Sequence, residues 1–190
     1  IAVSLQTIDG RALAPLTIPA GRTDAVGAFD TSGYPSGRYW INVVPPSGWT
    51  LKSIQLGGVD LVERPIELGS SDLAGLVVAF TDRTAELSGT VTGASAPNDD
   101  ASVVVFPADF QAWLANGRSP HRTVTAFVGR NGTYQLRLPP PGDYIVAAVL
   151  NDRAGDMELP YYSALSRIGS RITVTEGEKR TMALTAREIR

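Results

Sequence analysis

Hydrophobic and polar residues alternate along short stretches of this chain, and turn-forming residues separate the stretches. In Thr133-Tyr134-Gln135-Leu136-Arg137-Leu138, every second residue is apolar or aromatic and falls on one face of a strand, because successive side chains point to opposite sides. Gly and Pro, 19 and 13 of the 190 residues, lie between runs rich in Val, Ile, Thr and Tyr. This pattern is typical of an all-β fold. Strands are predicted at residues 1–7, 23–29, 38–44, 50–56, 74–81, 86–92, 102–106, 123–128, 133–137, 144–150, 171–175 and 180–185.

Two stretches in the second half of the chain depart from the strand pattern and predict short helices. Asp109 can cap the first helix, and Asn116-Gly117 can end it. Pro160 can open the second helix, because proline suits the first helical turn, and Gly169 can end it. The residues that share one helical face are Phe110, Trp113 and Leu114 in the first and Tyr161, Leu165 and Ile168 in the second.

The chain contains an internal repeat. Gly27-Ala28-Phe29, followed by Ser36-Gly37-Arg38-Tyr39, matches Gly132-Thr133-Tyr134, followed by Pro141-Gly142-Asp143-Tyr144, with an offset of 105 at each glycine (132 − 27 and 142 − 37). The sequence of residues 1–6 also matches that of residues 102–107, at nearly the same offset. We therefore predict two β-domains in tandem, residues 1–84 and 85–190.

The repeated motifs resemble those of the carboxypeptidase regulatory-like domains, which are transthyretin-like or prealbumin-like β-sandwiches. The second copy matches the opening strand with Leu87-Ser88-Gly89-Thr90-Val91, the Gly-x-Tyr strand, and the turn Pro140-Pro141-Gly142-Asp143-Tyr144. The first copy matches the last two motifs, with Ser36 in place of a proline. The resemblance implies two tandem transthyretin-like (Ig-like) β-sandwich domains, with the short helices inserted in the second. It also implies an extracytoplasmic setting and a non-catalytic role.

The first copy lacks a counterpart of the opening strand, because the sequence begins at what would be the second strand, residues 1–6. A sandwich without its first strand has an edge of unpaired backbone groups, which proteins normally cover. Either residues upstream of Ile1 are missing through truncation or processing, or a neighbouring chain supplies the strand by β-augmentation. The sequence leaves both alternatives open.

Charge and cysteine content narrow the classes of partner. The chain has 17 basic and 19 acidic residues, a formal net charge of −2 and a pI near 5.4, so it has no electrostatic footprint for nucleic acid or an anionic membrane. The longest apolar runs, residues 73–80 and 145–150, fall short of the roughly 20 residues that a membrane-spanning helix needs. Without cysteine there is no disulfide, thiolate zinc site or cysteine nucleophile.

Residues that would indicate catalysis or metal binding are sparse. The single histidine, His121, lies beside turn residues, whereas a zinc hydrolase typically needs three protein ligands. No Gly-x-Ser-x-Gly elbow is present, and we expect His121 to be a solvated residue at the entry to a strand. We expect no catalytic residue, no metal and no cofactor. The acidic residues Asp99, Asp100, Asp152, Asp156 and Glu158 lack the EF-hand pattern and are predicted to be solvated.

Aromatic residues give the most specific predictions about contacts. Tyr39, Trp40 and Tyr144, at strand starts, are predicted to fill the cores. Aromatic residues in loops and short helices can instead meet a protein partner or stack on a sugar. The interpretation that we favour is that the helices cap the open end of the second sandwich with Trp113 and Leu165 inward, since an amphipathic stripe normally faces a core. The candidate interaction surface is Ile1, Val3 and Leu5 at the open edge, with Trp49, Phe110, Trp113, Tyr161 and Tyr162.

These observations favour a non-catalytic structural or interaction module of a secreted or envelope assembly, which could assemble with itself through the open edge. A protein partner or a second copy is expected. A carbohydrate-binding module is the alternative, and it predicts a coplanar row formed by Trp113, Tyr161 and Tyr162. A third hypothesis is an accessory subunit docked on a membrane protein complex.

Overall fold

The computed structural model describes residues 1–8, 18–93, 101–150 and 158–189 of the chain. They form two all-β units, each a sandwich of two sheets. Unit 1 comprises Ile1–Asp82 together with Asn116–His121, and unit 2 comprises Arg83–Ala115 and Arg122–Arg190. No helix among the described residues is long and apolar enough to cross a membrane.

Unit 1 contains a four-stranded and a three-stranded sheet. Its strands are β1 (Ala2–Thr7), β2 (Gly21–Arg22), β3 (Gly37–Val43), β4 (Thr50–Leu56), β5 (Val59–Asp60), β6 (Ile66–Leu68) and β7 (Leu76–Thr81). The sheets have the orders β2-β1-β3-β6 and β5-β4-β7, and every pair is antiparallel. Alternate residues of both sheets, including Val3, Ile41 and Ile54, form the core between them.

Unit 2 has the same layers and a further layer of helix. Its strands are β8 (Glu86–Thr92), β9 (Ala101–Pro107), β10 (Val124–Phe127), β11 (Thr133–Arg137), β12 (Gly142–Leu150), β13 (Ser170–Val174) and β14 (Lys179–Thr185). The sheets have the orders β10-β9-β12-β13 and β11-β8-β14. All pairs are antiparallel except β8 with β14, which run parallel. Residues such as Leu87, Val105 and Tyr144 fill the core between the sheets.

The helices α1 (Phe110–Ala115) and α2 (Leu159–Ile168) cover the outer face of the four-stranded sheet of unit 2. There they form a second apolar cluster with outward-facing residues of β9 and β12, among them Phe106 and Ile145. Both faces of β9 are consequently buried along its whole length. This explains why its sequence is a continuous apolar run rather than an alternating one.

The repeat is visible in individual hydrogen bonds. In unit 1 the Asp24 amide donates to the Ala28 carbonyl and the Gly27 amide to the Asp24 carbonyl; in unit 2 the Gly129 and Gly132 amides make the same two bonds, again 105 residues later. The Tyr39 hydroxyl donates to the Pro35 carbonyl at 2.8 Å, and the Tyr144 hydroxyl donates to the Pro140 carbonyl at 2.7 Å. The offset of 105 therefore reflects one structural repeat, which extends from β2 to β3 without insertion.

Strand pairing corrects the sequence alignment of the second strands by one residue. Val3 pairs with Val43 and Val103 pairs with Ala148, so β1 and β9 are offset by 100 residues (103 − 3) rather than by 101. The reason is the alternation of the strand, since Val3 and Val103 both face their cores and a one-residue shift would reverse every side chain.

One predicted strand, residues 23–29, is absent. The Asp24 side chain accepts bonds from the Val26 and Ala28 amides, and Gly27 has a φ of +87°, so this segment forms a turn. The short strands β2, β5 and β6 were not predicted, because two or three residues show no usable alternation. The domain boundary predicted after residue 84 lies two residues from the change of unit after Asp82.

Candidate functional site

The four aromatic residues of unit 2 that were predicted to meet a partner lie on α1 and α2, and most of their side chains are buried between the helices and the sheet. Phe110, Trp113 and Tyr162 are 9%, 7% and 1% exposed, and Tyr161 is half-buried. They pack on the outer face of the sheet together with Leu165. Trp113 and Leu165 point inward as predicted, but the helices cover a sheet face and not the open end of the sandwich. These three buried rings reach a partner only if the helices move.

The rings do not form the coplanar row that a sugar platform needs. Trp113 and Tyr162 meet at 85° with centroids 5.2 Å apart, and Tyr161 and Tyr162 meet at 83° with centroids 5.1 Å apart. Edge-to-face contacts of this kind stabilise apolar cores. The arrangement is that of a packing cluster.

Of the residues predicted at an open edge, Val3 and Leu5 lie in β1 and Ile1 precedes it. β1 pairs with β3 from Val3 to Thr7 and with β2 at Ala2 and Val3. β1 lies between β2 and β3, and Val3 is 1% exposed. Leu5 is half-buried. Ile1 is 43% exposed, and its amino group donates to the Thr23 hydroxyl at 2.9 Å. Trp49, in the loop before β4, is 42% exposed. Contact of these residues with a partner stays a prediction.

No described strand of unit 1 corresponds to β8 of unit 2. In unit 2 the first strand, β8, lies between β11 and β14. Residues 28–32 correspond to β11 by the offset of 105, but they form no strand. β7 corresponds to β14 as the last strand of its sandwich. The position between residues 28–32 and β7 is therefore the one that β8 occupies in unit 2; we call it the first-strand position.

β4 pairs with β7 but does not replace β8. It runs antiparallel to β7, whereas β8 runs parallel to β14. In sequence β4 follows β3, where unit 2 has α2. The two strands therefore have different places in the topology.

Hydrogen bonds place β4 on the opposite side of β7 from the first-strand position. The Leu5 amide donates to the Tyr34 hydroxyl and not to Ile41, its partner in the ladder, so the Ile41 carbonyl points away from β1 towards the β6 side of β3. Two residues of the segment Asn116–His121 bind carbonyl groups of unit 1. The His121 ring is hydrogen-bonded to the Ile41 carbonyl, and the Ser119 hydroxyl donates to the Val62 carbonyl.

Val62 therefore lies on the β6 side of β3. Its neighbour Leu61 donates to the Ile54 carbonyl of β4 at 2.7 Å, which places β4 on that side as well. No described strand pairs with the other side of β7.

The side chains that border the first-strand position are apolar and incompletely buried. Leu76, Val78 and Phe80 of β7 alternate towards the core, and each is only half-buried, as is Phe29. The corresponding Tyr134 of unit 2 is 4% exposed, and Leu184 of β14 is 8% exposed. Leu5, opposite on β1, is half-buried where its equivalent Val105 is 0% exposed.

The sequence held a signal for these residues that the prediction did not use. In the second copy, β8 covers side chains of its neighbours β11 and β14. The residues of the first copy that correspond to these neighbours are therefore the ones that depend on a first strand for burial. Applied to the repeat, this indicates Phe29 and the last strand, β7.

His121 is a structural residue of unit 1 rather than a solvated one. Its Nε2 lies 2.7 Å from the Ile41 carbonyl oxygen, and the side chain is partly buried. Burial lowers the pKa of His121 from its ordinary value of 6.5, and the bond to the Ile41 carbonyl partly opposes the shift. The neighbouring Ser119 is 0% exposed, and the Trp40 indole donates to the Gly117 carbonyl at 2.8 Å.

Trp40 accordingly does not fill the core between the sheets as predicted. It is 2% exposed on the other face of β3 from Tyr39 and Ile41, where Gly117 meets it. Within the described ranges no group of three or more acidic or histidine side chains could hold a metal ion. The predicted solvated acids Asp99, Asp100, Asp152 and Asp156 lie outside the described residues, and Glu158 is exposed before α2.

No family model matches the chain, and no curated protein matches it. Among solved structures, the chain is similar to a candidate carbohydrate binding protein from Pseudomonas aeruginosa, with 16% identity over 54% of this chain and 88% of that one, and a TM-score of 0.35. It is also similar to the major pilin subunit of Bacillus cereus, with 14% identity over 82% and 40% of the two chains and a TM-score of 0.34. A streptococcal ancillary pilin has 14% identity over 87% and 49%, and a TM-score of 0.33. The fold described above rests on the sheet topology of this chain itself.

Proposed function

We propose that this chain is a non-catalytic structural and interaction module of an extracytoplasmic assembly. The observation that carries the proposal is the first-strand position of unit 1, where half-buried Phe29, Val78 and Phe80 border a strand edge without a described partner. Half-buried apolar side chains beside a strand edge that no described strand covers favour association with a further polypeptide segment. The extracytoplasmic setting is supported by the resemblance of the repeated motifs to carboxypeptidase regulatory-like domains.

The groups that could act in catalysis are engaged in structure. The ring of His121 is bonded to the Ile41 carbonyl and carries a lowered pKa. The bond to the Ile41 carbonyl uses Nε2, and burial of the ring holds this side chain inside unit 1. The aromatic cluster of unit 2 is likewise used for packing, so its geometry does not favour the carbohydrate-binding alternative.

The mass of the chain in solution tests this proposal, measured alone and after mixing with secreted and envelope proteins of the source organism. The variant Val78→Lys points a charge into the first-strand position, and the matched control Val77→Lys changes the exposed face of the same strand, since Val77 is 59% exposed. We expect a stoichiometric complex, with itself or with one envelope protein, that Val78→Lys abolishes and Val77→Lys preserves. Circular dichroism of both variants checks that they fold.

Two results contradict the proposal. One is a monomer that forms no stoichiometric complex in either mixture. The other is turnover of a substrate that is lost on His121→Ala, which would make the chain an enzyme.

A further inference from the structure

The chain contains two Asn-Gly pairs, Asn116-Gly117 and Asn131-Gly132, and both lie in turns. An asparagine side chain reacts most readily with the main chain when glycine follows it, because glycine has no Cβ to hinder the approach of its nitrogen. Both asparagines are exposed, and the two glycines have positive φ values of +93° and +75°. The two pairs differ in the hydrogen bonds that hold them.

The turn before β11 fixes the reactive groups of Asn131-Gly132. The Asn131 Oδ1 atom accepts hydrogen bonds from the Thr133 amide at 3.2 Å and from the Thr133 hydroxyl at 2.7 Å. The Gly132 amide, which would have to lose its proton, donates to the Gly129 carbonyl at 2.8 Å. These three hydrogen bonds must break before the side chain and the amide nitrogen can react.

The side chain of Asn116, which follows α1, is not held in this way. It is exposed, and among the residues that the structure describes none is hydrogen-bonded to its carboxamide. The carboxamide can therefore turn towards the Gly117 nitrogen without first losing a partner.

Gly117 fits closely against the rest of unit 1. Its carbonyl accepts a hydrogen bond from the Trp40 indole at 2.8 Å, and a Cβ on Gly117 would lie 3.2 Å from the Cβ of Ile8. Together with the φ of +93°, this close approach favours glycine over any residue with a side chain. The fold thus keeps the residue that makes the preceding asparagine labile.

We propose that Asn116 is a site of spontaneous deamidation, and that the isoaspartyl product releases the segment Asn116–His121 from the rest of unit 1. The Gly117 nitrogen gives its proton to water and bonds to the Asn116 Cγ, while the Cγ–Nδ2 bond breaks and the amide group takes up a proton and leaves as ammonia. Water then opens the five-membered imide. Cleavage of the new N–Cγ bond gives aspartate, and cleavage of the original peptide bond gives isoaspartate.

The reaction consumes water and releases ammonia, and it needs no oxidant or cofactor. It does not depend on the proposed function, since it involves only groups of the chain and solvent.

The isoaspartyl product changes the length of the main chain. It adds a carbon atom before Gly117 and leaves a free carboxylate beside it. Because Gly117 already lies against Ile8, the longer main chain displaces the Gly117 carbonyl from Trp40. The Trp40 side chain is 2% exposed, and a buried donor that loses its acceptor is destabilising. The aspartyl product keeps the chain length and leaves this contact in place.

Peptide mapping of the full 190-residue chain, after incubation at mildly alkaline pH, tests the site. Trypsin separates the two asparagines because Arg118, Arg122 and Arg130 lie between them, and electron-transfer mass spectrometry distinguishes aspartate from isoaspartate. We expect Asn116 to deamidate at least about tenfold faster than Asn131, whose three hydrogen bonds must first break.

Two variants check the chemistry of the site. Asn116→Gln should stop the reaction at this position, because the longer side chain closes a six-membered ring much more slowly. Thr133→Ala removes one of the hydrogen bonds to Asn131 and should raise the deamidation rate of Asn131 severalfold. Circular dichroism of both variants checks that they fold.

Release of the segment is measured on the indole proton of Trp40 by nuclear magnetic resonance. We expect this proton to exchange with solvent at least about tenfold faster in the isoaspartyl form than in fresh protein, because the hydrogen bond to Gly117 is lost. Freshly prepared Asn116→Asp is the matched control, since it adds the charge without lengthening the main chain, and it should keep the slow exchange.

The outcomes separate the site from its effect. Equal rates at Asn116 and Asn131, or an unchanged Asn131 rate in Thr133→Ala, overturn the assignment of the site. An isoaspartyl form in which Trp40 exchanges as slowly as in fresh protein overturns the release. Fast exchange in fresh Asn116→Asp also contradicts the proposal, because charge rather than chain length would then displace the segment.

Discussion

At the scale of single residues, one glycine shows how closely two strands of unit 2 approach. Gly89 has a φ of +156°, and its missing Cβ leaves room for the Met182 carbonyl. The Tyr134 hydroxyl reaches the same carbonyl from the opposite strand. The opening strand of the sandwich therefore depends on the absence of a side chain.

Gly89→Ala tests this dependence. We expect the free energy of unfolding of unit 2 to fall by about 2–3 kcal/mol, because the added methyl group forces β8 and β14 apart. Urea unfolding followed by circular dichroism measures the change. Gly58→Ala is the control: Gly58 also has a positive φ, of +82°, but no atom lies within 4 Å of an added Cβ, so about 1 kcal/mol of backbone strain is expected. Equal losses in the two variants would show that the close approach has no energetic weight.

His121 gives unit 1 a specific response to pH. Its pKa is lower in the folded protein than the ordinary 6.5, so the unfolded chain binds more protons between the two values. The free energy contributed by this group is complete above about pH 6.5 and is lost as the pH falls towards the folded pKa.

We expect His121→Gln, whose amide can still donate to the Ile41 carbonyl, to remove this component. Urea unfolding of both proteins between about pH 7 and about pH 5.5 tests the effect, because that interval lies above the usual titration of carboxylates. Parallel pH profiles for the wild type and the variant would contradict the assignment.

At the scale of secondary-structure elements, the strands and helices of unit 2 could be predicted from the sequence, but the surface that the helices cover could not. β11 was predicted at its observed bounds because Tyr134 and Leu136 alternate with exposed residues. The helices were also predicted, but they were expected at the open end of the sandwich and lie on the outer face of a sheet, since an apolar stripe does not reveal which surface it covers. The continuous apolar sequence of β9 was the relevant signal, because it indicates a strand with a layer on each face.

Tyr162→Ala tests that the helix layer is a core and not a binding platform. We expect a loss of about 3–5 kcal/mol in the free energy of unfolding, because the ring is buried among Phe106, Phe110 and Trp113. Thermal and urea unfolding measure the loss. Trp49→Ala, at a residue that is 42% exposed, is the control and should cost much less. A stable Tyr162→Ala variant that has lost affinity for a glycan would instead support the carbohydrate-binding alternative.

Sequence reasoning failed in unit 1 where pairing, rather than pattern, decides the structure. Residues 27–32 carry the same Gly-x-aromatic motif as the segment that contains β11, but they form no strand, and no described strand lies beside them to pair with. The repeat identified the position of these residues in the sandwich. It could not show that β4 occupies the other side of β7, because this arrangement depends on contacts between residues far apart in sequence, such as Leu61 with Ile54.

At the scale of the whole molecule, the division of the chain into units does not follow the sequence order. Six residues from the second half, Asn116–His121, belong to unit 1. They carry no periodicity, so no pattern could have assigned them. Their contacts are specific, since they provide partners for Trp40, Val62 and Ile41.

A chain of residues 1–82 alone should therefore be less stable than unit 1 within the full protein. Without Asn116–His121, Trp40 loses its cover and its hydrogen bond to Gly117. We expect a lower urea midpoint and a red-shifted Trp40 emission, with Trp49→Phe in both chains and Trp113→Phe in the full one to isolate the signal. Addition of residues 116–121 as a peptide should partly reverse the shift. Identical midpoints would show that the segment does not contribute to the stability of unit 1.

The segments that connect β3 to β6 and β12 to β13 have a consequence for engineering. The same topological position carries a β-hairpin, β4 and β5, in one unit and a helix, α2, in the other. The preceding part of each unit, from the turn after β2 or β10 to Tyr39 or Tyr144, keeps its spacing residue for residue. One chain thus displays two unrelated insertions at one junction of one scaffold. This junction is where we would graft a foreign loop or a second domain, because the fold has already accepted two different sequences there.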